Sequence, residues 1–160
     1  MEGLQISTAI RKGNTSKCSR SANSGGPQMK LPGIIIKQEI IEAFNTCEFS
    51  QLLGMNITEV WDHGVKVTMT TEGKSGPNGV AHGGAVFTLA DHAFGIAANM
   101  GGERQVALSA TIQYVSPAQG HLEAIAERVS GNDLCSLYRV MVYAGDRLVA
   151  VFEGTGIKVS

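Results

Sequence analysis

The 160-residue sequence has few cysteines, little net charge and no long hydrophobic run. Its three cysteines, Cys18, Cys47 and Cys135, are scattered and form no C-x-x-C pair, which argues against a disulfide framework and a zinc site. No apolar stretch reaches the roughly 20 residues of a membrane-spanning helix, and no signal-peptide core is visible. We therefore expect a cytoplasmic protein without a membrane partner.

The net charge of -1 gives no reason to expect a nucleic acid partner, because nucleic-acid-binding proteins usually concentrate basic residues on one face. An anionic ligand would need local basic residues instead. Four such candidates are present, each of which reads equally well as a solvated surface charge: Arg104, Arg128, Arg147 and Lys158.

Residues 1–33 differ in composition from the rest of the chain. Serine, glycine, asparagine and basic residues dominate, Glu2 is the only acid, and no hydrophobic periodicity is present. Such segments cannot bury enough apolar surface to fold. We predict a disordered extension over residues 1–33 and one globular domain over residues 34–160.

Hydrophobic periodicity predicts the elements of this domain. An amphipathic helix is predicted to begin at Ile34, a short helical segment spans residues 47–53, and residues 55–61 form a strand that turns at residues 62–64 into a second strand. Further strands are predicted over residues 104–116, 120–130, 134–144 and 147–158. Short turns join them, which predicts antiparallel neighbours. The fold class is α+β, with five or six strands around one buried helix.

The predicted buried helix, residues 84–99, is apolar except for one narrow polar stripe. The stripe consists of Thr88, Asp91, His92, Gly95 and Asn99. An ionised carboxylate inside a protein costs several kcal/mol unless partners satisfy it, and a mid-helix position cannot cap the helix. We therefore assign Asp91 a functional role, with the adjacent His92 as the alternative working group.

Two glycines, Gly83 and Gly84, open this helix directly after His82. The first N–H groups of a helix lack intrahelical acceptors, and the helix dipole favours negative charge beside them, so they suit a carbonyl oxygen that gains negative charge. Eight residues separate Gly83 from Asp91, or about 12 Å along the axis. A site that uses both groups therefore needs two chains, as a two-fold dimer provides.

The residues Gly79, His82, Gly83 and Gly84, with Asp91 nine positions after the histidine, resemble the hotdog-fold acyl-CoA thioesterases of the phenylacetic-acid-degradation type. The similarity continues through residues 109–117 and covers about residues 45–157. It implies a hotdog fold, in which a curved antiparallel sheet wraps a long central helix. It also implies homodimers with sheets joined edge to edge, pairs of which form tetramers, and hydrolysis of an acyl-CoA thioester without a cofactor.

Carried over position by position, the resemblance makes Asp91 the nucleophile or general base and Gly83 the donor to the thioester carbonyl. It makes His82 a neighbour that orients the site, although capping of the helix explains this histidine equally well. Asn45 matches a family asparagine, and a helix-end hydrogen bond is its simpler reading. The predicted substrate-binding residues are Gly84, Thr88, Ser109 and Thr111.

The sequence departs from the family pattern at three places. Gly76 stands where many relatives have asparagine, and Asn78 is a candidate replacement. Ala107 stands where some relatives have a serine, although alternation along the strand predicts that Ser109 and Thr111 share its face. The turn at residues 131–133 lacks the basic residue that would contact coenzyme A phosphates.

Two other functions stay open. Hydration or dehydration of an enoyl thioester would use His82 and a carboxylate as an acid-base pair. A non-catalytic acyl-CoA-binding module would use the same fold, but it would not need Asp91. A metal site of His82, Asp91 and His92 is rejected, because the two histidines lack the i, i+4 spacing of zinc motifs.

Overall fold

A computed structural model of the chain describes residues 32–159, with side chains from residue 37 onward. Except for Pro32 and Gly33, the segment predicted to be disordered lies outside the described residues. These two residues form the first turn of α1 (Pro32–Thr46), so this helix begins two residues earlier than predicted. The short helix α2 (Glu48–Leu53) follows and ends at Gly54, as predicted.

Six strands form one antiparallel sheet, which confirms the predicted strand positions and the α+β class. The strands are β1 (Asn56–Trp61), β2 (Gly64–Thr70), β3 (Gln105–Tyr114), β4 (His121–Gly131), β5 (Cys135–Ala144) and β6 (Arg147–Lys158). Their order in the sheet is β1-β2-β4-β5-β6-β3. The third helix, α3 (Gly83–Asn99), precedes β3 in the chain and contacts β2 through β6.

The prediction that short turns join paired neighbours is wrong for β3 and β4. β3 lies at the far edge of the sheet and pairs with β6, whereas β4 lies between β2 and β5. The connection crosses the N-terminal end of α3: the Val115 N–H donates to the Val149 carbonyl, and the Ala118 carbonyl accepts from the Ala81 N–H. This crossing segment therefore helps to hold the turn that precedes α3.

The core lies between α3 and the concave face of the sheet. Phe94 of α3 contacts Phe152 and Tyr138, with ring centroids 5.8 Å and 5.6 Å apart, and Leu89 is fully buried. The polar stripe of α3 is only half-buried, which matches the predicted amphipathicity. Within residues 32–159, no helix is long and apolar enough to cross a membrane.

Candidate active site

The N-terminus of α3 leaves one backbone donor open. His82 caps the helix, and its Nδ1 accepts from the Gly84 N–H at 2.9 Å. The His82 carbonyl accepts from the N–H groups of Ala85 and Val86. Among residues 32–159, the Gly83 N–H donates no hydrogen bond. The capping reading of His82 therefore holds, and the cap orients the glycine whose N–H stays available.

Tyr114 fixes the other side of this glycine. Its hydroxyl donates to the Gly83 carbonyl at 3.0 Å, and a Cβ added at Gly83 would lie 3.3 Å from the tyrosine ring. Sequence reasoning missed Tyr114, because it lies 31 residues beyond Gly83 and meets it only through the fold. The position of the Gly83 N–H is therefore set from two directions, by the His82 cap and by β3.

Asp91 lies two turns further along α3 and has no charged or hydrogen-bonding partner among the described residues. Its side chain is half-buried, and burial raises the pKa of its carboxyl above the ordinary value. It opens into a cavity of about 260 Å³, which we call the Asp91 pocket. Its lining includes Phe44, Phe94, Ala98, Gln105, Val106 and Ala107.

His92, the alternative working group, packs against α1 rather than into this pocket. Its ring meets the Phe44 ring edge-on, with centroids 5.5 Å apart, and burial lowers the pKa of the imidazole. Within residues 32–159, no three His, Cys, Asp or Glu side chains are close enough together to hold a metal ion. Of the two titratable groups on the stripe, Asp91 is therefore the one that lines a cavity.

One chain does not bring Gly83 and Asp91 together. Gly83 lines a cavity beside Tyr114, whereas Asp91 lines the pocket further along the helix. Gly84 and Thr88 lie with His82 on a third cavity, of about 350 Å³, next to Phe49 of α2. The Thr88 hydroxyl donates to the Gly84 carbonyl, which gives this side chain a structural contact as well.

Asn45 makes the helix-end contact that its simpler reading predicts. Its Oδ1 accepts from the Ile57 N–H at 3.3 Å, and its carbonyl accepts from the buried Ser50 hydroxyl. It does not line the Asp91 pocket, whereas its neighbour Phe44 does. Its catalytic role stays a prediction.

Comparison with known proteins decides the family. A sequence model described as "Thioesterase superfamily" matches residues 78–151. A Deinococcus radiodurans protein named "Putative esterase" is 34% identical over 113 residues, which are 67% of this chain and 76% of the relative. An Archaeoglobus fulgidus protein of the same name is 29% identical over 114 residues, which are 69% of this chain and 74% of that protein.

The chain belongs to the thioesterase superfamily. Among solved structures of the superfamily, the PaaI protein from the phenylacetic acid degradation operon of E. coli has a TM-score of 0.74 at 26% identity, covering 79% of this chain and 95% of that one. A mutant of the phenylacetic acid degradation protein PaaI from Thermus thermophilus has a TM-score of 0.68 at 32% identity, covering 71% of this chain and 100% of that one. The PaaI resemblance and the hotdog fold are confirmed, and the general reaction class is hydrolysis of a thioester.

The structure shows where the three departures from the family pattern lie. The Gly76 N–H donates to the Val80 carbonyl at 2.7 Å, and Asn78 is exposed on the turn between them. Ala107 lines the Asp91 pocket, so a methyl group rather than a hydroxyl faces this cavity. In the turn after β4, the Asn132 side chain accepts from the N–H groups of Leu134 and Cys135.

The expectation that Ser109 and Thr111 share a face with Ala107 is wrong. Leu108 forms a β-bulge, so that Ala107 pairs with Gly156 but Ser109 pairs with Thr155. Ala110 and Ile112 pack against the core, and the exposed Ser109 and Thr111 point to the opposite face. Their role in substrate binding stays a prediction, and neither lines the Asp91 pocket of its own chain.

Proposed function

We propose that this thioesterase hydrolyses an acyl-CoA or similar thioester at the interface of a homodimer, with pairs of dimers forming tetramers. The observation that carries the proposal is the half-buried carboxylate of Asp91, which lies about 12 Å along the helix from the Gly83 N–H. Neither group has a hydrogen-bonding partner among residues 32–159. A carboxylate without structural partners is an expensive residue for a binding module to keep, so catalysis accounts for it better.

In the proposed reaction, the Gly83 N–H of one protomer donates to the thioester carbonyl oxygen as negative charge develops there. One such preorganised donor is typically worth about 3 kcal/mol of barrier. Asp91 of the facing protomer either attacks the carbonyl carbon, giving an anhydride that water hydrolyses, or removes a proton from the attacking water. In both cases the C–S bond breaks, the thiolate takes up a proton, and a carboxylic acid remains.

The enoyl hydratase alternative requires His82 as an acid or base. The Nδ1 of this histidine accepts the Gly84 N–H, so the neutral ring carries its proton on Nε2 and cannot act as a base while it caps the helix. Together with the match to the thioesterase superfamily, this favours hydrolysis. We also propose a cytoplasmic location, because neither Cys47 nor Cys135 forms a disulfide with another described residue.

Replacing Asp91 by asparagine tests the proposal. We expect Asp91→Asn to lower thiol release from acyl-CoA substrates by about a hundredfold or more, because the amide can neither attack nor accept a proton. Thiol release is followed with a chromogenic thiol reagent, and light scattering checks that the dimer persists. The matched control is Asp146→Asn in the exposed turn between β5 and β6. Turnover retained by Asp91→Asn would refute the catalytic role.

A further inference from the structure

Resting on the proposed function, we propose that Gln105 sets the length of the acyl group by closing one end of the Asp91 pocket. Gln105 is the first residue of β3, directly after the loop that follows α3. A second cavity of about 250 Å³, which we call the Arg128 cavity, lies beside the Asp91 pocket. Its lining has an apolar part, with Ala97, Met100 and the Tyr138 ring, and a charged part, with Lys37, Asp62, Glu103 and Arg128. Both cavities are lined by Ala98 and Gln105. These two residues therefore form the partition between them.

Hydrogen bonds at both ends of its amide hold the Gln105 side chain in place. Its Nε2 donates to the Ala98 carbonyl at 2.8 Å, and its Oε1 accepts from the hydroxyl of the buried Ser136 at 3.1 Å. Its backbone N–H donates to the Asn99 side chain at 3.0 Å. A side chain with this many contacts does not exchange rotamers freely, so the partition is rigid.

The opposite strand is built to leave room for this side chain. Gly156 of β6 faces Gln105, and a Cβ at that position would lie 2.6 Å from the glutamine Oε1. With Gln105 held by its hydrogen bonds, a side chain at position 156 would collide with the amide, so glycine leaves the space that the amide occupies. The position of the partition is therefore fixed by β6 as well as by α3.

The acyl group is the part of the substrate that enters the Asp91 pocket. The reacting carbonyl carbon must lie beside the Asp91 carboxylate, while the large, polar thiol portion needs solvent. The pocket walls beyond Asp91 include Phe44, Phe94 and Val106, which suit an apolar chain. An acyl chain that extends along these walls ends at Gln105, and a longer chain would need the Arg128 cavity.

Shortening Gln105 tests the proposal. We expect Gln105→Ala to join the two cavities and to raise the ratio of kcat/KM for dodecanoyl-CoA to that for butanoyl-CoA at least about tenfold, a range reached by small changes in apolar pockets. The matched control is Gln113→Ala, an exposed glutamine on the same strand, which should leave the ratio unchanged.

A binding measurement separates this inference from the proposed function. Acyl-CoA thioethers have no cleavable thioester, so calorimetric titration reports chain-length preference without turnover, and we expect the same shift in Gln105→Ala. If that variant does not fold, Gln105→Asn, one methylene shorter, should show a smaller shift. An unchanged length preference in a folded shortened variant overturns the inference. Absence of thiol release by the wild type from every thioester overturns the proposed function instead.

Discussion

Asp91 and His92 are neighbouring groups whose surroundings both disfavour charge. Burial raises the pKa of the aspartate and lowers the pKa of the histidine, and burial is the cause of both shifts. Asp91 has no donor among the described residues to offset this cost. Asp91, the residue that we place in the reaction, therefore also lowers the stability of the fold.

The raised pKa of Asp91 makes stability depend on pH in a defined direction. The folded state holds this proton more tightly than the unfolded state, so ionisation destabilises the fold as pH rises through the raised value. The penalty is absent below the unfolded pKa of about 3.9. We expect Asp91→Asn to melt at a higher temperature than the wild type at pH 7, and the difference to vanish on acidification below about pH 4.

The contribution of His92 has the opposite sign. The pKa of His92 is lower in the folded state than in the unfolded state, so the neutral imidazole favours folding. This contribution to the free energy of unfolding is present above the unfolded pKa and is lost as pH falls through the lowered, folded-state pKa. The wild type and Asp91→Asn both contain His92, so its contribution cancels in the difference between their melting temperatures. Asp146→Asn, which removes a carboxylate from an exposed turn, is the matched control. A lower melting temperature for Asp91→Asn at pH 7 would contradict an uncompensated carboxylate.

At the scale of the element, the start of α3 holds its first donor open while satisfying the next ones. The His82 ring accepts the Gly84 N–H, and the His82 carbonyl accepts the Ala85 N–H. His82 has φ -60 and ψ 136, a conformation that a following proline favours. Proline is also tolerated at the first position of a helix. The Gly83 N–H can therefore be removed without breaking the helix.

Gly83→Pro and Gly83→Ala form a matched pair for the proposed oxyanion contact. Both place a Cβ against Tyr114, 3.3 Å from its ring, but only alanine keeps the N–H. We expect kcat for Gly83→Pro to be about a hundredfold or more below that for Gly83→Ala, the usual effect of losing one such donor. Circular dichroism and thermal melting check that both variants fold. Equal rates in the two variants would remove the Gly83 N–H from the mechanism.

The positions of elements could be predicted from sequence, whereas their long-range partners could not. The stripe with Asp91 and the strands follow from periodicities within one segment. The pairing of β3 with β6, and the bulge at Leu108 that turns Ser109 outward, depend on contacts between distant segments. For the same reason Gln105 and Tyr114 gave no signal: their contacts with Ser136 and Gly83 each span 31 residues.

At the scale of the whole molecule, a single chain has surfaces that suit a second copy. The α3 stripe is half-buried, and β3 has one hydrogen-bonded neighbour among the described strands. Val106 and Leu108 on this edge are 46% and 62% exposed. An open edge with apolar side chains usually pairs with another strand. The proposed dimer would cover this edge and bring each Asp91 to a Gly83.

Subunit complementation tests whether the two groups come from different chains. A heterodimer of Gly83→Pro and Asp91→Asn, isolated with two affinity tags, contains one site with both native groups if the groups meet across the interface. We expect about half of the wild-type thiol release per dimer, since a two-fold dimer has two equivalent sites. Each variant alone is the control and should be nearly inactive. If the groups acted within one chain, both sites would be damaged and the heterodimer would stay inactive.

The pairing of β3 with β6 has a consequence for folding. Val106 and Ala107, which form one wall of the Asp91 pocket, pair with β6 and with no other described strand. Loop closure between segments so far apart in sequence is slow. Because β6 is synthesised after β3, an emerging chain that still lacks β6 contains Asp91 but no supported pocket around it. The ability to hydrolyse a substrate is therefore acquired only after β6 has paired with β3.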